Sequence, residues 1–303
     1  MKAFMKHIIF QGGLKLFFWL GKILKKQHLQ KFSILLGSLL YYIPWSRKHI
    51  AFENLKIAFQ GQYSEKELKK ILKKFIQEVI LTALEVAFIV KKNEKLASWA
   101  KAEELEVLDE ALKQNKGVIA LSGHIGNIPV MLAWLAEKGY PVAVLFKEGK
   151  YLPKGFLYNL ISSYKIYPIP MHSDREVPKE IIKALNKNMI VFILADQARP
   201  GVYAKFFGKY VQCQKGAFVI ALRKNSPIIP IFIVREKEEH TIKIYREEKI
   251  FQSLEPSQNK SFLSSDEYFV RLIENYNFIL ESLIRKYPEQ YYWFHRRFKK
   301  SLD

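Results

Sequence analysis

The feature that most constrains this chain is an alternation that begins near residue 103. Apolar runs of strand length recur at 117–122, 141–146, 166–169, 190–195 and 227–234, with helical spacing between them near 128–138, 155–163, 178–187 and 215–224. Parallel strands cannot be joined by a tight turn and need a crossover, usually a helix. The alternation therefore predicts an α/β fold: a largely parallel central sheet flanked by helices. "HTIKIYREEKI" (240–250) reads as an added strand, antiparallel at an edge. "SSDEYFVRLIENYNFILESLIRKY" (264–287) reads as a long closing helix capped by Ser or Asp.

Residues 1–95 have a different pattern and read as helical throughout. "YSEKELKKILKKFIQEVILTALEVAFIV" (63–90) opens on a capping box, Ser64 with Glu67, and continues with apolar residues at helical spacing. Leu68, Ile71, Leu72 and Phe75 form a stripe suited to a core. The organisation read from this is a helical, membrane-associating N-terminal region (1–95) and an α/β domain (96–303).

Charge narrows the partners. The chain carries 49 Lys and Arg against 29 Asp and Glu, a net +20. Such an excess points to nucleic acid, an anionic membrane surface or an acidic protein. Its position favours the membrane. Before the first acidic residue, Glu53, come Lys2, Lys6, Lys15, Lys22, Lys25, Lys26, Lys31, Arg47 and Lys48. They are interleaved with "LKLFFWLGKIL" (14–24) and "FSILLGSLLYYIPW" (32–45). Neither block reaches the roughly 18–20 apolar residues of a spanning helix, and no signal-peptide cleavage site is evident. A basic hairpin packed on the domain is the plainer reading. Phe17, Phe18, Trp19, Tyr41, Tyr42 and Trp45 are many aromatics for such a cap, and they suit helices lying in an interface. The one cysteine, Cys213, permits no internal disulfide and fits a reducing compartment.

Three segments carry candidate chemistry. In "SGHIGNIPVM" (122–131) His124 follows an apolar strand and precedes a helix, with Asn127 as N-cap and Pro129 in the first turn. Ligands of open α/β sheets bind at such strand ends, and a helix start offers N–H groups to developing negative charge. In "LADQARPGVYAKFFGK" (194–209) Asp196 also stands at a strand end, where it can meet His124 or cap the following turn. "PEQYYWFHRRFK" (288–299) and Lys300 give a basic, aromatic tail holding His295, Arg296, Arg297 and Lys299. There is no Gly-x-Ser-x-Gly elbow, phosphate-binding P-loop, complete Gly-x-Gly-x-x-Gly or zinc ligand set.

In this order the segments resemble the late acyltransferases of lipid A biosynthesis, the lauroyl/myristoyl transferase family of the lysophospholipid acyltransferase-like superfamily. "SRKHIAFENLKIAF" (46–59) carries the resemblance through Arg47, Asn54, Leu55 and Phe59, and "KGVIALSGHIGN" through its Gly-His-Ile-Gly-Asn. Asp196, Gln197, Phe206, Phe207 and Gly208 match the family's Asp-Gln and Phe-Phe-Gly block, and "PEQYYWFHRRFK" matches its ending. The resemblance implies a glycerolipid acyltransferase-like fold. It implies transfer of a fatty acyl chain from acyl carrier protein to a hydroxyl of a lipid A precursor or related glycolipid. It places this at the cytoplasmic face of the inner membrane, with no metal or cofactor. A lysophospholipid acyltransferase and a membrane-bound pseudoenzyme are the alternatives.

One departure matters. The family pattern puts Asp or Glu five residues after the histidine, where this chain has Pro129, and Ile125 stands where Phe is common. With His124 as general base, Asp196 is the expected substitute carboxylate and Glu148 the second choice. Gly126 and Asn127 are candidate backbone donors. Lys147, Arg175 and Arg199 are candidate phosphate contacts. Ile128 to Leu135 and Phe206, Phe207 and Gly208 are candidates for an acyl groove, with core packing the competing role. Vesicles containing anionic lipid should sediment the chain and RNA should not compete. RNA binding as tight as vesicle binding would return the charge to a nucleic-acid role.

Overall fold

The computed structural model describes residues 2–149, 152–171, 175–251, 266–298 and 301, with only the backbone described for 2–11. Four helices lead: α1 (Lys2–Ile23), α2 (Leu29–Tyr42), α3 (Ser46–Ala58) and α4 (Glu65–Lys92). Next come β1 (Ala100–Glu103), α5 (Glu106–Leu112), β2 (Val118–Ser122), α6 (Ile128–Glu137), β3 (Val142–Phe146), α7 (Phe156–Ser163), β4 (Tyr167–Pro170), α8 (Val177–Asn186) and β5 (Ile190–Leu194). A hairpin, β6 (Val202–Phe206) and β7 (Lys209–Cys213), precedes α9 (Gly216–Lys224), β8 (Ile228–Glu236), β9 (Glu239–Ile244), α10 (Glu248–Phe251) and α11 (Asp266–Lys286).

The sheet runs β1-β9-β8-β2-β5-β3-β4. The expected parallel strands form one continuous block, β8, β2, β5, β3 and β4, with β4 at the edge. β9 pairs antiparallel with β8, as expected, but it is not the edge. β1, whose short "AKAE" carries no apolar run, pairs parallel with β9 and covers it. The hairpin was not anticipated from sequence. Its Val202, Ala204 and Phe206 are buried, while Lys205 faces outward. It closes through Phe207 and Gly208, both at positive φ (50° and 74°), as a two-residue hairpin turn matching strand twist requires.

Alternate residues of each buried strand enter opposite layers. Ile119, Leu121, Ala143 and Val191 join a core built with α3, α8, α9 and α11. Val118, Ala120, Val142, Ile190 and Phe192 join a second core with α5 and α6. α4 serves both. Leu68, Leu72 and Phe75 are buried in the first core, with Ile71 half-buried beside them, and Leu81, Leu84 and Phe88 lie in the second. Its start is fixed by the capping box: Ser64 N–H donates to Glu67 Oε2 at 2.8 Å, and Glu67 N–H donates to the Ser64 hydroxyl. α1 and α2 pack on α4. Gly21 makes the first contact possible, since a Cβ there would lie 2.5 Å from the Ala87 carbonyl carbon. Among the described residues no helix is long and apolar enough to cross a membrane. The closing helix begins at Asp266, and Ser264 and Ser265 lie outside the described residues.

A buried charge cluster ties α4 to the sheet. Arg235, at the end of β8, donates from Nη1 and Nη2 to the two oxygens of Glu85 at 2.7 and 2.8 Å and from Nε to Glu78 at 3.3 Å. His240 Nε2 lies 3.2 Å from Glu85 Oε2. Burial opposes the charge of Glu85, but hydrogen bonds from His240 and Arg235 hold its pKa down at about 2. Breaking a buried pair on one side costs about 3–5 kcal/mol because the other charge is left unmatched. Glu85→Ala should therefore lose stability on that scale in denaturant unfolding, and a loss under about 1 kcal/mol would refute the role assigned to the pair.

Candidate active site

Strand register builds the site. β2 and β5 are parallel neighbours with Ser122 opposite Leu194, and the ladder continues one step as Ala195 N–H donates to the Ser122 carbonyl. Residues two past each partner, His124 and Asp196, therefore emerge side by side at the carboxyl edge. His124 Nδ1 lies 2.7 Å from Asp196 Oδ1, and the His124 backbone N–H donates to Asp196 Oδ2 at 3.0 Å. Asp196 is fully buried, while the His124 side chain keeps 21% of its exposure.

Electrostatics fix the protonation. Burial works against a charged imidazole, but the charge and hydrogen bond of Asp196 outweigh it and hold the His124 pKa above its ordinary value. Burial pushes Asp196 up, and His124 more than compensates, so its carboxyl sits far below the usual range. With Asp196 ionised, Nδ1 carries the proton of neutral His124 and Nε2 presents a lone pair. Gln197 Nε2 lies 3.3 Å from that atom and 3.3 Å from His295 Nε2. Only an N–H can face a lone pair, so the amide nitrogen belongs on this side. The His295 ring stands edge-on to His124, with centroids 4.6 Å apart. Burial, and then the His124 charge, lower its pKa to about 4.

The C-terminal segment is clasped around this point. Tyr292 N–H donates to the His124 carbonyl at 2.8 Å, and Gly126 N–H to the Gln290 carbonyl at 3.0 Å. From α3, Asn54 Nδ2 donates to the Trp293 and His295 carbonyls at 2.7 and 2.6 Å, and Arg47 to the Phe294 carbonyl at 3.0 Å. Arg297 is not part of a solvated basic tail. It is buried and donates to the Gln212 carbonyl at 2.7 Å and to Cys213 Sγ at 3.1 Å. Arg296 is exposed, and Lys299 and Lys300 lie outside the described residues.

Two cavities meet at His124 and Pro129. The larger, about 570 Å³, runs between α4, α6, α7 and the ends of β3 and β5. Its walls are mostly aliphatic, with Lys147, Tyr164, Gln197, Arg199 and Gln214 as polar members besides His124. The smaller, about 190 Å³, lies between α4 and the C-terminal segment and presents Glu78, Thr82, Arg235, Glu289 and Tyr292. Among the described residues, no group of three His, Cys, Asp or Glu side chains is arranged to hold a metal ion.

The remaining candidates divide. Glu148 is not beside His124: β3 lies beyond β5, so its loop is two strand spacings, roughly 10 Å, from β2. Its Oε1 accepts instead from the Tyr158 N–H at 3.3 Å. Gly126 is not a spare donor, because its N–H is held by Gln290. Its positive φ (65°) and the Ile233 carbonyl, 2.1 Å from where a Cβ would stand, require glycine. Asn127 caps α6 through Oδ1 to Val130 N–H and donates to Glu85 Oε2 at 2.8 Å. Ile128, Val130 and Leu132 reach the larger cavity, whereas Phe206 and Phe207 pack against Phe298 and Phe59 in the core and Gly208 sits in the hairpin turn. Arg175 is exposed before α8 and does not line either cavity. Apart from their places in the family blocks, Gln197, His295 and Asn54 carried no individual signal in the sequence, and Arg47 read only as one of the N-terminal cations; the tertiary structure brings them to the turn bearing His124. The Glu85–Arg235–His240 cluster had only one signal, a charge inside an apolar stretch.

Fold and site together define an α/β protein with a histidine–carboxylate pair facing an apolar cavity. A family model described as bacterial lipid A biosynthesis acyltransferase matches residues 9–300, and the chain belongs to that family. It is 24% identical over 266 residues to the lipid A biosynthesis palmitoleoyltransferase of Escherichia coli (strain K12), covering 84% of this chain and 79% of that protein. It is 23% identical over 272 residues to the lauroyltransferase of the same organism, covering 87% and 83%. Against lipid A biosynthesis acyltransferase 2 of Shigella flexneri it is 22% identical over 221 residues, 72% of this chain and 66% of that protein.

The pair can be tested without substrate. In a histidine-resolved NMR titration, His124 should titrate above the ordinary 6.5 and His295 at about 4. Asp196→Asn should move His124 down, since it removes the group that favours the charged ring. Because the folded pKa of His124 is raised, its stabilising contribution is complete below pH about 6.5 and fades as pH rises through the folded value. A His124 midpoint at or below 6.5 in the unaltered protein would contradict the pairing.

Proposed function

We propose that this chain transfers a fatty acyl group from the thioester of acyl carrier protein to a hydroxyl of a lipid A precursor or related glycolipid. The observation that carries the reading is the 2.7 Å contact of His124 with buried Asp196 at the meeting point of two cavities, the larger of them mostly aliphatic. Family membership supports it. The larger cavity suits an acyl chain, and the smaller gives a hydroxyl a separate approach to Nε2. His124 takes the hydroxyl proton, and the oxygen attacks the thioester carbonyl. The tetrahedral oxyanion collapses with cleavage of the C–S bond, and the imidazolium returns the proton to the departing thiolate. Asp196 holds the ring in the reactive tautomer and offsets the charge formed on it.

The outer faces of α1 and α2 support a place on the cytoplasmic face of the inner membrane. Leu16, Trp19, Ile23, Ile34, Leu35 and Leu39 are exposed among Lys15, Lys22, Lys25 and Lys31. An apolar surface rimmed by cations suits anionic lipid. Lys147 and Arg199 at the larger cavity suit an anionic donor or acceptor group. The test is transfer from lauroyl- or myristoyl-loaded acyl carrier protein to a lipid A precursor in detergent. His124→Ala should abolish it, and Asp196→Asn should lower kcat by up to about 10⁴, the scale for an imidazole base deprived of its carboxylate. A silent Asp196→Asn would remove Asp196 from the mechanism, and no transfer by the unaltered chain to any lipid hydroxyl would overturn the reading.

A further inference from the structure

We propose that the Gln197 carboxamide is the donor that stabilises the oxyanion of acyl transfer, and that the His295 imidazole holds it in position. The inference rests on the acyl-transfer reading above and deepens it. Such a reaction needs a hydrogen-bond donor aimed at the carbonyl oxygen as it gains charge. The turn that carries His124 cannot lend its first N–H groups. That of His124 is held by Asp196 Oδ2, that of Ile125 by the Gly123 carbonyl at 2.8 Å, and that of Gly126 by the Gln290 carbonyl at 3.0 Å. With these three N–H groups engaged, a side chain lining the cavity is the source we assign.

Gln197 is placed for this role beside the base atom. It follows Asp196 directly, lines the larger cavity, and puts its amide nitrogen 3.3 Å from the base atom itself. That nitrogen has two N–H groups, one facing each imidazole. Both contacts are long, so the one to His124 Nε2 yields readily to an incoming hydroxyl, which makes a shorter bond there. The freed N–H then points into the space the thioester carbonyl enters. The other stays on His295 Nε2 and keeps the amide from swinging away.

His295 can do this only as a neutral acceptor. Burial and the neighbouring His124 charge keep it so, with its pKa lowered to about 4. Its backbone is fixed by Asn54, which grips the carbonyl of His295 and that of Trp293. The segment 46–59, far from His124 in sequence, thereby acts on the reacting atoms through three hydrogen bonds in series. His295 is a positioning residue and Gln197 the catalytic one.

The experiment measures kcat and KM separately for the purified full chain. It uses lauroyl-acyl carrier protein as donor and a detergent-solubilised lipid A precursor as acceptor. Gln197→Met keeps the shape and removes the donor, and Gln197→Glu replaces the donor with an acceptor. Each should lower kcat by about 10²–10³, the range for losing one oxyanion donor, with KM for the acyl donor changed less than about threefold. His295→Phe should lower kcat in the same direction. His295→Gln, whose carbonyl oxygen can accept from Gln197, should recover most of the loss, a rescue that mere packing would not produce. A Gln197→Met variant within about threefold of the unaltered kcat overturns the proposal. So does an Arg199→Met variant that shows the kcat loss in its place. If the unaltered chain transfers nothing, and is indistinguishable from His124→Ala, the acyl-transfer reading itself has failed and this proposal falls with it.

Discussion

Parallel pairing of β2 with β5, in the register that sets Ser122 opposite Leu194, is the constraint on which the site depends. Parallel strands leave the sheet in the same direction, so both chains turn away at one edge and at one height. His124 and Asp196 are each two residues past the paired position. Their contact follows from the ladder, with no long side chain needed to reach across. A slip of one residue would turn the alternate side chains of β2 to the other face and separate the pair. The apolar filling of both layers around β2 and β5 therefore protects the dyad as well as the fold.

Around that contact the chain closes a ring from distant pieces. α3 contributes Arg47 and Asn54, the turn after β2 contributes the His124 and Gly126 backbone, and the C-terminal segment contributes the carbonyls and amides that join them. Most of these bonds run to backbone atoms. They fix where the chain passes and place few demands on neighbouring side chains. They hold the turn that carries His124 to segments far from it in sequence. Gly126 is needed in that turn: any Cβ would strike the Ile233 carbonyl where the turn packs against β8.

The buried charges obey the same logic of complete partnering. Glu85 accepts from Arg235, His240 and Asn127, so the N-cap of α6, the end of β8 and the middle of α4 share one carboxylate. That cluster lies behind the smaller cavity. It holds the α6 start, and with it the turn bearing His124, against α4, on whose other side α1 and α2 pack.

Much of this was legible in the sequence. Strand–helix alternation gave the parallel centre of the sheet, because apolar runs of that length joined by helices have few other solutions. Ser64, Asn127 and Pro129 marked helix starts through local chemistry that needs no tertiary context. His124 and Asp196 were recognisable as strand-end residues for the same reason. Strand order was not legible, and it made the decision between carboxylates. Asp196 and Glu148 both follow apolar strands by similar offsets, but β5 lies next to β2 and β3 lies beyond it. β1 and its cover over β9 were hidden because a four-residue strand carries no periodic signal. His295 read as part of a basic tail, since sequence gives no burial for a residue whose neighbours are Arg and Phe. Local chemistry by itself determined which groups could act. Only the packing of the strands and the closure of the C-terminal segment decided which of them meet, because contacts between residues 72 or 98 apart are set by the order of elements in space.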